Sequence, residues 1–346
     1  MLHPSFLGTP RSANGDDDAY RNKSLSLNLS HRFNDDLKIG FSALDQRGQS
    51  EFEDIFGTSL PTTDFQLSSL SSYIDANLSE AWNSRLEIGH SEDKRDTGND
   101  QPQASADAFY SFNTYRDSIN WVNTVALNER HQVLLGADWY EDRVTGSETF
   151  TEDSRWNQAA FIQHRYSAED FSTELGLRHD KNQQFGSENS WNAALTVPFN
   201  AANDLILSYS EGFRAPTFND LYYPDFSNPD LKPETSKSYE LQWRSQLTES
   251  SRLEASLYRT DLEDAIIFGS NSRPENVASA RINGFEAALK QDLFGWQGNL
   301  GLSLIDPRDR DSGHTLARRA RRTLSLDLDR QFDQVGVGAS WQAISH

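Results

Sequence analysis

The sequence predicts an all-β chain, a transmembrane antiparallel β-barrel. Three observations carry that reading. Apolar residues recur with period two rather than 3.6. Short polar turns alternate with long loops down the chain. Aromatic side chains flank the short turns, as in the interfacial girdles of lipid-facing barrels.

The strands read in order as follows. Leu25, Leu27 and Leu29 alternate with Ser26, Asn28 and Ser30. Leu37, Ile39, Phe41 and Ala43 resume the pattern after a break. Ile119, Trp121, Val125 and Leu127 share one parity, as do Val133, Leu135, Ala137 and Trp139. Phe171, Thr173, Leu175 and Leu177 form the next run, then Trp191, Ala193, Leu195, Val197 and Phe199. Leu324, Leu326 and Leu328 alternate with polar residues, and Val335, Val337, Ala339 and Trp341 close the series. Successive side chains of a strand point to opposite faces, so each strand has one apolar and one wet face. No amphipathic helix is predicted.

Short turns fall at 34–36, 79–83, 128–131, 167–170, 200–204, 248–251, 294–295 and 333–334. Long loops fall at 45–70, 92–116, 141–155, 180–190, 212–236, 261–280 and 306–318. Alternate connections of a meander lie on the same side, so one side has tight turns and the other long loops. That asymmetry is the topology of outer-membrane barrels. The count is roughly 16 strands of about ten residues, enough to cross hydrocarbon at a tilt. Phe33, Trp82, Tyr166, Phe171, Phe199, Phe294, Trp296 and Phe332 flank the short turns. A soluble propeller or sandwich is the competing architecture, but no blade repeat is present.

Composition excludes several classes. The 346 residues include 52 acidic and 32 basic side chains, a formal net charge of −20. That balance opposes nucleic-acid binding, which needs cationic surface. No apolar run reaches the roughly 18–20 residues of a spanning helix. Aromatic content of 11% is too high for a disordered acidic chain. Without cysteine, the chain offers no disulfide or thiolate chemistry. Met1 to Pro4 carry no basic and apolar leader pattern, so no secretory signal is predicted within this chain.

Residues 208–244 read SYSEGFRAPTFNDLYYPDFSNPDLKPETSKSYELQWR. This block closely resembles the signature of TonB-dependent outer-membrane receptors, in which a strand ending in EGFRAPT is followed by a loop with NPDLKPE. The segments ARINGFE at 280–286 and TLARRARR at 315–322 also look like that family. Within it, element order and loop lengths are most similar to the vitamin B12 (cobalamin) receptors. Siderophore and haem receptors share the central block. The resemblance implies a barrel of about 22 strands, an N-terminal plug and a segment that engages TonB. It covers essentially the whole of 1–346 as barrel domain. Against that pattern the expectation is a chain without the plug before residue 1 and with roughly 16 of about 22 strands. The expectation is therefore a partial barrel that cannot transport alone. It would reside in the outer membrane of a Gram-negative bacterium and meet lipid and lipopolysaccharide, with TonB engaged through the missing part.

Two groups are candidate ligand sites. Tyr222, Tyr223 and Phe226 either line a ligand mouth or pack the loop that Pro224, Pro229 and Pro233 keep irregular. Asp16, Asp17 and Asp18 are either a solvated acidic loop or hard oxygen ligands for Ca²⁺. The resemblance matches Asp16 and Asp18 to an Asp-x-Asp calcium pair and Asp45 to a third ligand. Leu44 stands where Tyr is common, and Glu53 and Asp54 are further candidates. Arg318, Arg319, Arg321 and Arg322 form a basic cluster, read as a solvated strand start, as partners for carboxylates or as partners for lipopolysaccharide phosphates.

No catalytic constellation is present. The sequence has no His-Glu-x-x-His, Gly-x-Ser-x-Gly or phosphate-binding glycine loop, and its eight histidines are scattered. The expected function is capture and import of cobalamin, not chemistry. Siderophore or haem import, a passive barrel, and a soluble β-rich enzyme or lectin are the alternatives.

Overall fold

The structure, a computed structural model, describes residues 19–52, 61–99, 110–269, 272–316 and 319–345. Sixteen strands occur among them: β1 (Tyr20–Arg32), β2 (Leu37–Glu51), β3 (Pro61–Ser79), β4 (Trp82–Asn99), β5 (Tyr110–Ala126), β6 (His131–Gly146), β7 (Ser154–Ser167) and β8 (Ser172–Asn182). The others are β9 (Gly186–Asn200), β10 (Asn203–Arg214), β11 (Glu234–Thr248), β12 (Ser251–Phe268), β13 (Pro274–Leu293), β14 (Trp296–Asp309), β15 (Arg322–Phe332) and β16 (Val335–Ser345). One short helix, α1 (Phe218–Tyr222), follows β10. Hydrogen bonding orders the strands β1 to β16 in strict chain sequence. No helix among the described residues is long and apolar enough to cross a membrane.

The expected short turns close the hairpins, each by a local device. Asn34, Asn128 and Asn200 turn their side-chain oxygens onto backbone amides two residues ahead, at 2.9 Å in each case. Such Asx turns substitute a side-chain acceptor for a backbone one. Phe294 and Gly295 both take positive φ, 54° and 79°, which matches the right-handed twist of β13 and β14.

Two expectations need correction. The strands run from 11 to 20 residues rather than about ten. The predicted long loops shrink accordingly: β2 continues to Glu51 and β3 begins at Pro61. The 180–190 loop is a tight hairpin, where the Asn182 side chain caps the amides of Gln184 and Phe185 at 3.0 and 3.2 Å. The reason is shared. At 45–51 and 180–184 both strand faces are polar, so alternation disappears while the ladder continues.

The chain packs as two compact units. Unit 1 comprises 1–122, 137–158 and 222–225, and unit 2 comprises 123–136, 159–221 and 226–346. In both, the large apolar side chains are mostly exposed. Leu25 in unit 1 is 72% accessible, and Leu207 in unit 2 is 56% accessible. These residues cluster at the turn-proximal ends, such as Leu70, Ile74 and Leu78 on β3, or Leu205 and Leu207 on β10. A sheet face of this kind is complementary to hydrocarbon, not to water. The membrane-crossing part of each strand is therefore its turn-proximal portion, and the distal portions project beyond it. The buried apolar residues of unit 2 include Phe218, Leu221 and Leu231 in the segment after β10.

Two glycines permit close approaches. A Cβ on Gly146 would lie 2.3 Å from the Ser111 carbonyl oxygen, which is backbone and cannot move aside. A Cβ on Gly284 would lie 2.1 Å from the Tyr258 ring, which crosses the glycine from the neighbouring strand. Gly146→Ala is expected to part β5 from β6 and cost about 1–3 kcal/mol. Gly284→Ala only displaces a ring and should cost less. Urea unfolding of the two variants, followed by heat-modifiable gel mobility, checks this order.

Candidate functional site

The segment between β10 and β11 is built from short-range hydrogen bonds. At the start of α1, Thr217 and Asp220 form a reciprocal cap. The Thr217 amide and hydroxyl donate to the Asp220 carboxylate at 2.9 and 2.7 Å, and the Asp220 amide donates to the Thr217 hydroxyl at 3.1 Å. This satisfies amides that one turn of helix leaves orphaned. Pro216 is fully buried beside it.

The NPDLKPE stretch is tied to the distal ends of β12 and β13. The Asn228 amide donates to the Asp220 carbonyl at 2.8 Å, and its side chain donates to the Pro274 carbonyl at 3.1 Å. Asn276 clasps Lys232 from both sides, accepting from its amide at 2.8 Å and donating to its carbonyl at 3.0 Å. Its side chain also donates to the Asp264 carbonyl at 2.6 Å. Arg214 and Glu234, register partners on β10 and β11, close the base of the segment with an ion pair. Glu234 accepts a further bond from the Ile266 amide. The signature block is thus a scaffold in unit 2. Asn276 and Glu234 carry much of it, and the sequence reading gave neither a role.

In unit 1 the tip residues 222–225 meet two side-chain groups. Tyr223 joins Tyr110, Phe112 and Phe150 in an aromatic cluster, with Tyr110–Tyr223 and Phe150–Tyr223 centroids at 6.2 and 6.5 Å and Phe112–Phe150 at 5.9 Å. Burial and the neighbouring Tyr223 push the Tyr110 phenol, at the distal end of β5, up to about 12. Tyr222 sits with a polar group. Arg116 donates twice to the Asp142 carboxylate at 2.6 and 2.8 Å, and its guanidinium stacks over Tyr140 at 4.3 Å. The buried Arg155 lies in the field of Asp142, Tyr140 and Tyr222. Arg116, Tyr140 and Asp142 have the parity opposite to Trp121, Leu135 and Trp139, so they occupy the non-lipid face. Sequence reasoning missed this group because 24 or more residues separate its β5 member, Arg116, from Tyr140, Asp142 and Arg155. The usable signal was parity at the distal strand ends.

The other candidates are placed differently. Phe226 belongs to unit 2 and is exposed. Asp16, Asp17, Asp18, Glu53 and Asp54 lie outside the described residues. Asp45 shares the apolar parity of Ile39 and Phe41, and its carboxylate accepts from Arg47 at 2.8 and 3.1 Å and from Gln66 at 3.1 Å. A Ca²⁺ ion at Asp45 would compete with that guanidinium. Among the described residues no group of three or more His, Asp or Glu is arranged to hold a metal ion. Of the basic cluster, Arg318 lies outside the described residues, Arg321 reaches Asp306 at 3.6 Å, and Arg322 begins β15.

Glu234 gives this site a pH dependence. It lies at the distal end of β11, outside the membrane-crossing part. Burial opposes its ionisation, but the Arg214 guanidinium and the Ile266 amide outweigh that and hold its carboxyl below the ordinary 4.5. A lowered native value means the stabilisation is complete above pH 4.5 and is lost as pH falls through the native value. Amide exchange in 215–233 is expected to accelerate on acidification over that window. In Glu234→Gln it should already be fast at pH 7 and lack that acid transition.

Residues 2–345 match the family described as TonB dependent receptor-like, beta-barrel. The chain is 27% identical over 334 residues to the protein named vitamin B12 transporter BtuB of Vibrio vulnificus, covering 94% of this chain and 54% of that protein. It is 27% identical over 349 residues to the protein of the same name from Photobacterium profundum, covering 96% and 55%. The chain thus spans about half the length of these curated relatives. Among solved structures, the ferric enterobactin receptor PfeA of Pseudomonas aeruginosa, as the R480A mutant in complex with enterobactin, shares the fold with a TM-score of 0.80 at 16% identity, covering 97% of this chain and 60% of that one. A match over nearly every residue, on a meander of sixteen antiparallel strands with an exposed apolar face, has one reading: the chain belongs to the TonB-dependent receptor β-barrel family.

Proposed function

We propose that the chain forms the barrel of an outer-membrane receptor that captures cobalamin for TonB-driven import in a Gram-negative bacterium. The observation that carries this reading is the match to two BtuB proteins along 94–96% of the chain. The mechanism is capture, not catalysis. Arg116, Tyr140, Asp142 and Tyr222 offer an aromatic and hydrogen-bonding surface on the non-lipid face, backed by the buried Arg155. Such a surface suits a large ligand with both planar and polar parts. The backbone leading into Tyr222 is already ordered by hydrogen bonds, so binding there loses little entropy. A plug acted on by TonB and import of the captured ligand are further parts of the proposal.

A ferric siderophore is the second reading, favoured by the half-exposed guanidinium of Arg116, which suits an anionic ligand. Ca²⁺ held by Asp16, Asp18 and Asp45 is a further part of the proposal, with Arg47 as its competitor for Asp45.

Isothermal titration of the detergent-purified protein with cyanocobalamin and with ferric enterobactin distinguishes the two ligands. Cobalamin binding is expected. Enterobactin binding without cobalamin binding would establish the second reading. Tyr222→Ala is expected to weaken cobalamin about tenfold or more, as loss of an aromatic anchor does. Tyr223→Ala should act mainly through stability, since its ring packs in the Tyr110–Phe150 cluster. Titration with and without Ca²⁺ tests the metal: tighter cobalamin binding in its presence is expected, and lost in Asp16→Asn/Asp18→Asn. Equal affinities would remove calcium from the proposal.

A further inference from the structure

At the turn-proximal end of unit 2, two histidine rings meet across neighbouring strands. His131 opens β6 and His164 lies near the end of β7. Nδ1 of His131 and Nε2 of His164 are 3.0 Å apart, and the ring centroids are 5.2 Å apart at an interplanar angle of 27°. His131 shares the parity of Val133 and Leu135, and His164 that of the exposed Ile162, so both rings lie on the apolar face. The surroundings fix His131 from several sides. The Asn128 side-chain oxygen accepts from the amides of Arg130 and His131 at 2.9 and 3.0 Å. The His131 carbonyl accepts from the Leu127 amide, and the Arg130 carbonyl from the Ser167 amide, both at 2.8 Å. Tyr166 packs against the His131 ring at 4.7 Å and against Phe171 at 5.6 Å.

The nitrogens of this pair are uncommitted elsewhere. Among the described residues neither ring makes another hydrogen bond or an ion pair. His90, by contrast, meets Asp117 and Glu92 with its two nitrogens, at 2.6 and 3.3 Å. His179 is engaged by Asn189 at 2.8 Å. A neutral imidazole carries one N–H and one lone pair. With the proton of each ring on its far nitrogen, two lone pairs face the gap. The width of the gap then selects a ligand. Metal–imidazole bonds are about 2.0–2.1 Å long, so nitrogens at a right angle about the metal are about 2.9 Å apart and tetrahedral ones about 3.3 Å. The observed 3.0 Å fits the right angle. Square-planar or tetragonal nitrogen ligation is the preference of Cu²⁺ and Ni²⁺, and Cu²⁺ is the more tightly held of the two.

We propose that His131 and His164 bind a Cu²⁺ ion as a two-histidine clasp between β6 and β7, with water completing the coordination. The ion takes the place of the hydrogen bond that joins the rings, and each imidazole stays neutral with its proton on the far nitrogen. The site lies where β6 leaves the turn, so aqueous metal reaches it without crossing hydrocarbon. Two protein ligands make it an exchangeable site rather than a closed structural one, which takes four. By holding the folded strands together, bound Cu²⁺ adds to stability in proportion to its occupancy. The clasp stands on the opposite end of the strands from Tyr222 and does not depend on the ligand assigned above, so failure of cobalamin binding would leave it intact.

Electron paramagnetic resonance of the detergent-purified protein, loaded with equimolar Cu²⁺, tests the site. Every sample carries His3→Ala, because an amino-terminal Met-Leu-His chelates Cu²⁺ by itself. Spin-echo modulation is expected to show two imidazole nitrogens on the metal when His131 and His164 are both present. His131→Asn and His164→Asn should each leave one, and each should weaken Cu²⁺ about tenfold or more in competition with a soluble chelator, since even a lost outer-shell partner costs that much. His179→Asn should change neither readout. If one histidine variant loses heat-modifiable mobility, the other decides by itself. Fewer than two imidazole nitrogens with the pair intact, or undiminished affinity in a folded His131→Asn or His164→Asn, would overturn the proposal.

Discussion

Backbone hydrogen bonding in hydrocarbon constrains everything else in this chain. Where no water is available, every N–H and C=O of a crossing strand must be paired within the protein. The strict neighbour order of β1 to β16 is a direct answer to that demand. Each strand finds its partners in the segments that precede and follow it. Tight turns built on Asn34, Asn128, Asn200 and Phe294–Gly295 make such pairing local.

Once the ladder is fixed, side-chain chemistry is free to differ between the two faces. The apolar face carries leucines and aromatics at the turn-proximal ends, and most of its charge beyond them. The opposite face carries the polar and aromatic groups that can recognise a ligand, such as Arg116 with Asp142 and Tyr140. Beyond the membrane-crossing part water can satisfy the backbone, so the chain can leave the ladder. It does so between β10 and β11, where other constraints replace the ladder: the Thr217–Asp220 cap, the Asn228 and Asn276 clasps and the Arg214–Glu234 pair. An ordered irregular segment of this kind can carry function because its conformation is fixed by those hydrogen bonds together with the burial of Pro216, Phe218, Leu221 and Leu231.

Legibility in the sequence follows the same division. Leu205, Leu207, Leu241 and Leu257 mark their strands because one face meets an apolar medium and the other does not. The distal half of β2 reads as loop because both faces there are polar, and the distal end of β12 does so because Ala265 to Phe268 are apolar on both, leaving pairing without periodicity in either case. Tyr222 and Tyr223 stand out together, yet their surroundings differ: Tyr223 enters an aromatic cluster and Tyr222 sits with buried Arg155. Nothing in adjacent sequence positions distinguishes them.

The architecture class, the positions of the tight turns and the family could all be read from the residues alone, since each depends on local periodicity or on a contiguous motif. Which residues meet could not: Asn276 with Lys232, Arg116 with Asp142, and Arg214 with Glu234 come together only in the folded sheet. Those encounters depend on strand register. A one-residue slip exchanges the faces of a strand while leaving its composition unchanged. Register is set by the summed fit of every turn and ladder, so no single stretch of sequence contains it.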